Sequence, residues 1–77
     1  MYHTIEFTKD LLVDMEVSPK HWLERMRIRR GICLQAQIKP YVVETDKGPV
    51  EVADLFFDDG RTTRGVPFRL FSFVDEE

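Results

Sequence analysis

Apolar residues recur at every second position through much of this chain, the period of strands with one buried face. In the first segment His3, Ile5 and Phe7 share a face, with Tyr2, Thr4 and Glu6 on the other. After the polar Thr8-Lys9-Asp10, Leu11, Val13, Met15 and Val17 repeat the pattern around Asp14 and Glu16. Together the two segments predict a β-hairpin. Leu12 on the polar face keeps a helix through Leu11, Leu12 and Met15 open as the alternative.

Ser18-Pro19 changes the reading. A serine hydroxyl caps an orphan backbone N–H, and proline suits the first helical position because its missing N–H costs nothing there. The pair predicts a helix with Trp22, Leu23 and Met26 on one side, arginines toward its C-terminal end and Gly31 as its stop. The alternation of Arg25-Met26-Arg27-Ile28-Arg29 leaves the final turn open to an extended conformation.

From Ile32 the pattern is again that of a strand, with Ile32, Leu34, Ala36 and Ile38 facing one way and Cys33, Gln35, Gln37 and Lys39 the other. Pro40 implies an edge position or a bend, since it brings no N–H to a ladder. Tyr41 to Thr45 resumes the strand, and Asp46-Lys47-Gly48 fits a three-residue hairpin loop. Beyond Val50 and Val52 the apolar phase changes at Leu55-Phe56-Phe57, which predicts a bulge near Ala53-Asp54. Asp58-Asp59-Gly60 reads as a turn. Arg61 to Gly65 is a short strand or a loop, and Val66 to Val74 a final strand buried on both faces.

The sum is a single α+β domain over residues 1–77. Its expected form is a small antiparallel sheet of about five strands, in the order β-β-α-β-β-β, with one helix packed on it. A small, partly closed β-barrel with one helix is the alternative.

Composition narrows the function classes. With 43% hydrophobic and 32% charged residues, the 77-residue chain is a folding composition rather than a disordered one. No apolar run approaches the roughly 20 residues of a membrane-spanning helix, so no membrane partner is expected. The first ten residues hold no charged segment followed by an apolar run, and a lone Cys33 cannot form an internal disulfide. Both fit a cytoplasmic setting.

The net charge of −3 hides a segregation. Residues 20–39 carry six basic side chains against Glu24 alone, and residues 40–60 carry six acids against Lys47 alone. One reading is intramolecular complementarity. The other is a basic face for an anionic or protein partner, built from Trp22, Arg25, Arg27, Arg29 and Arg30 and joined by Arg61 and Arg64 if the fold brings them near. The acidic balance of the whole chain argues against a dedicated nucleic-acid binder.

Chemistry is sparse. His3, His21 and Cys33 lie at no metal-ligand spacing, and the carboxylates near Asp58-Asp59-Gly60 are what a turn demands. Each glycine falls at an element boundary, which leaves no phosphate loop. No nucleophile, base and stabiliser assemble, so no enzyme, cofactor, metal or small-molecule substrate is expected. The function expected is that of a small interaction module acting through protein contacts, as a homodimer or accessory subunit. Its contact residues are the basic segment and one of Phe56, Phe57, Phe71 or Phe73. An RNA- or DNA-binding module using residues 20–39 is the alternative.

Overall fold

The computed structural model describes residues 1–17 and 22–74. Seven strands form one antiparallel sheet: β1 (His3–Phe7), β2 (Leu11–Val17), β3 (Trp22–Ile28), β4 (Cys33–Thr45), β5 (Gly48–Phe57), β6 (Arg61–Pro67) and β7 (Phe71–Phe73). Their spatial order is β3-β2-β6-β5-β4-β1-β7, and the sheet curls into a half-barrel. One 3-10 turn, Phe68–Leu70, joins β6 to β7; among the described residues there is no α-helix.

The α+β expectation, and the barrel with a helix beside it, are therefore overturned. Ser18 and Pro19, where the helix was to start, lie outside the described residues, but Trp22–Ile28 is a strand. Its partner explains why. β3 runs against β2 in unbroken register from Val17↔Trp22 to Leu11↔Ile28, so two alternating segments bury one face together. Met26 meets Val13 and Ile28 meets Leu11 on the inner face, while Leu23, which a helix would have buried, is 67% exposed. A local start signal loses here to cross-strand pairing.

With no helix to lie on, the sheet builds its core by folding over itself. Ile5 and Phe7 of β1, Met15 of β2, Ile28 of β3, Ala36 of β4, Ala53, Leu55 and Phe57 of β5, Val66 of β6 and Phe71 of β7 form one buried cluster. All come from the inward parity of their strands, as the two-residue period requires. Phe71 stands between Phe7, Phe68 and Phe73, with ring centroids 6.4, 5.3 and 5.9 Å away, and so fastens the last strand to the first.

Two further expectations change. Tyr2–Phe7 and Leu11–Val17 are extended but not paired with each other: β1 lies between β4 and β7, and β2 between β3 and β6. Thr8 ties the connection elsewhere, its N–H donating to the Leu70 carbonyl and its hydroxyl to that of Arg69, both at 2.9 Å. The run from Val66 to Val74 is not one central strand. Pro67 ends β6, the 3-10 turn Phe68–Leu70 follows, and the three-residue β7 forms an outer edge.

The bulge expected near Ala53-Asp54 lies in the neighbouring strand. Pairing of β4 with β5 is continuous from Ala36↔Phe57 to Thr45↔Gly48. The shift lies between β5 and β6, where Ala53 faces Val66 and Leu55 faces Thr63. Arg64 and Gly65 thus oppose the single residue Asp54, which puts the extra residue of the bulge in β6. Gly65 takes a φ of +70°, which a side chain would oppose.

Candidate interaction surface

The bulge delivers Arg64 and the Gly65 N–H to one carboxylate. Asp54 Oδ1 accepts from the Tyr41 hydroxyl at 2.9 Å and from the Gly65 N–H at 3.0 Å, and Oδ2 accepts from Arg64 Nη1 at 3.1 Å. Arg64 Nε reaches on to Glu16 at 2.6 Å, and the guanidinium lies 5.9 Å from the centre of the Phe56 ring. The chain Tyr41–Asp54–Arg64–Glu16 therefore crosses β4, β5, β6 and β2. Burial opposes ionisation of Asp54, but the bonds from Tyr41, Gly65 and Arg64 outweigh it and hold its pKa below the ordinary value. The same bond to Asp54 raises Tyr41, and the bond to Glu16 raises Arg64. A raised phenol and a charge-saturated carboxylate make neither a nucleophile nor a base. The network fixes the bulge.

The predicted contact arginines separate into two groups. Arg64 is spent on Asp54 and Glu16. Arg61 lies 3.6 Å from Asp59 and 4.0 Å from Glu24, with Nη1 2.8 Å from Met26 Sδ. That last contact crosses β2 toward β3 on the inner face, whereas Arg25 and Arg27 have the outward parity of β3. Arg61 thus reaches β3 and lines a cavity with Met26 and Arg27, while Arg64 is turned to Asp54 and Glu16. Among the described residues no ion pair joins the basic segment 20–39 to the acidic segment 40–60: Arg25 pairs with Asp14, and the acids Asp54 and Asp59 pair with Arg64 and Arg61.

Arg25 and Arg27 stand on the sheet's open edge. Arg25 pairs with Asp14 across β2 at 3.2 Å, yet its side chain stays 68% exposed. Arg27 faces Leu12, which offers no charge, and makes no ion pair among the described residues. Arg29 and Arg30 follow β3 in the turn to Gly31. The Arg29 carbonyl accepts from Ile32, and the Arg30 N–H donates to Asp10 Oδ1 at 2.7 Å, so main-chain bonds hold the turn and leave both residues exposed. Trp22 opens β3 opposite Val17.

Which main-chain groups of β3 face outward follows from the ladder. The Asp14 carbonyl points toward β6, where the Thr63 hydroxyl donates to it at 3.5 Å. Alternation along a strand then directs the even residues of β2 to β6 and its odd residues to β3. Across that pairing the even residues of β3 bond β2. Leu23, Arg25 and Arg27 therefore turn their N–H and C=O groups away from the sheet.

Other open edges are shorter or interrupted. β7 has three residues. Past Ala36, β4 has lost its β1 neighbour, and Pro40 sits there as its missing N–H allows. The protruding end of β5 carries Pro49. This projecting β4–β5 ribbon exposes Tyr41, Val42 and Val43. Between β2 and β6, paired only at Glu16–Thr62 and Val17–Arg61, the strands splay into an open cleft of about 360 Å³ walled by Leu11, Val13, Val66, Pro67 and Leu70.

Of the four phenylalanines proposed for contacts, Phe57 and Phe71 are buried and Phe73 packs on the core. Phe56 lies under Arg64. Leu12, on the polar face as its phase implied, is 60% exposed; Leu23, expected under a helix, is 67% exposed, and Ile32, expected to face with Leu34, is 37% exposed. Cys33 is exposed and free, and no group of three or more metal-ligating residues forms among the described residues. No helix is long and apolar enough to cross a membrane. No protein family, curated protein or solved structure matches the chain.

Proposed function

We propose that this protein is an interaction module that acts through protein contacts, with the free edge of β3 as the place of contact. One observation carries the reading. β3 is a seven-residue, proline-free strand at the end of the sheet, and the main-chain groups of Leu23, Arg25 and Arg27 face away from β2. An extended segment of another chain can add to such an edge by main-chain hydrogen bonds, the mode of β-strand addition. The core, the bulge network and the turns all hold this edge in place without covering it.

Leu23→Pro tests the reading, because it removes one outward N–H and leaves the bonds to β2 and both arginines intact. Titration of the labelled protein with a pool of eight-residue extended peptides, followed by amide NMR, is expected to shift β3 resonances in the native protein and not in Leu23→Pro. Shifts confined to the β4–β5 ribbon, or none at millimolar peptide, would overturn it. The nucleic-acid alternative is tested alongside by anisotropy of labelled RNA and duplex DNA. Four engaged arginines would give a log–log salt slope of about −3 to −4 on duplex. Such a slope, lost on Arg25/Arg27/Arg29/Arg30→Ala, would replace the protein-contact reading.

A further inference from the structure

We infer that the strand accepted by β3 is one in which acidic and apolar residues alternate, and that it comes from a different protein rather than from a second copy of this chain. The inference rests on the strand-addition reading and names the partner's chemistry. An added strand must match the two faces of β3. On the outer face it meets Leu23, Arg25 and Arg27; on the inner face it meets Glu24, already facing Arg61 at 4.0 Å, then Met26 and the buried Ile28 at the rim of the core. Residues directly opposite one another on a face interact, favourably when oppositely charged and unfavourably when alike. Arg25 is half-answered by Asp14 from the β2 side, and Arg27, opposite Leu12, makes no ion pair among the described residues. Acidic residues beside Arg25 and Arg27, with apolar residues between them to extend the core past Met26 and Ile28, satisfy both faces at once.

A second copy fails the same match. Two β3 strands paired antiparallel about Arg25 set Arg25 against Arg25 and Leu23 against Arg27. Paired about Met26, they set Arg25 against Arg27 twice. Shifted to centre on Glu24, they set two glutamates together on the inner face. In each register like charges oppose across a strand pair. Charged residues on an edge are a guard against indiscriminate pairing, and here the guard has one sign and so leaves one class of strand acceptable.

Calorimetric titration at low salt with three synthetic peptides decides this: Ser-Glu-Val-Glu-Val-Glu-Ser, its lysine counterpart and its threonine counterpart. The acidic peptide is expected to bind about tenfold or more tightly than the lysine peptide, two favourable pairs replacing two repulsive ones. Arg25→Glu/Arg27→Glu is expected to reverse the preference, and salt to erase it. Leu23→Pro is expected to weaken all three peptides. Equal binding of the three, all abolished by Leu23→Pro, would keep strand addition and overturn the acidic assignment. Binding of none would overturn both, and sedimentation showing a dimer abolished by Leu23→Pro would overturn the exclusion of a second copy.

Discussion

β3 and β6 each carry two arginines, and the fold uses them oppositely. Those of β6 are each paired twice, although the Arg64 side chain stays 54% exposed. Arg64 is locked between Asp54 and Glu16, and Arg61 between Asp59 and Glu24. Those of β3 stand at the rim, where Arg25 keeps a largely exposed side chain and Arg27, opposite Leu12, makes no ion pair among the described residues. β6 has a neighbour on each side and β3 has one. Arginine count therefore says little about partners until strand position is known, because an interior strand finds its counter-charges within the sheet.

The comparison can be broken most forcefully at Asp54. Asp54→Ala leaves the Gly65 N–H without its acceptor and removes the anchor of Arg64 and Tyr41; it is expected to cost about 1–3 kcal/mol in chemical denaturation. Gly65→Ala strains the bulge itself, since a Cβ on a φ of +70° is disfavoured and lies 3.5 Å from the Tyr41 hydroxyl. A loss of about 1–2 kcal/mol is expected there. A cost for Gly65→Ala indistinguishable from zero would mean the bulge is not held as described.

Acid titration sharpens the same contrast. Asp54 ionises more readily folded than unfolded, so its contribution is complete above the unfolded value near 3.8 and is lost as pH falls through the lower folded one. Tyr41 and Arg64 are raised, so their contributions persist at neutral pH and disappear only as pH rises through their folded values. Denaturation midpoints are thus expected to fall in acid more steeply for the native protein than for Asp54→Asn. Parallel curves would remove Asp54 from the account. At the small end, Arg25→Ala and Arg27→Ala are expected to change stability by no more than about 0.5 kcal/mol, as exposed charges do. A larger loss would assign those arginines to the fold and not to a contact.

The strands were legible in the sequence, because alternation survives in any sheet that hides one face. Leu11, Val13 and Met15 of β2 and Leu34, Ala36 and Ile38 of β4 turn inward as their spacing implied. The glycines at 48 and 60 sit at positive φ in their predicted turns. The helix misled because Ser18-Pro19 is a local signal, while the pairing of Met26 with Val13 is a contact between segments that the signal does not report. The bulge showed as a phase change near Asp54, but its placement in β6 needed the register with Arg64 and Gly65. The network was hidden altogether: Glu16 and Arg64 are 48 positions apart, and they meet only because β2 lies beside β6. So the charge blocks were visible, and that their members pair with residues outside the opposite block was not.

Amide hydrogen exchange on the free protein tests the central claim most directly, since an open β3 edge is a statement about individual main-chain groups. Exchange is expected to alternate along the strand: fast at Leu23, Arg25 and Arg27, and slow at Glu24, Met26 and Ile28. Protection at all six would contradict it, because the edge would then already be covered.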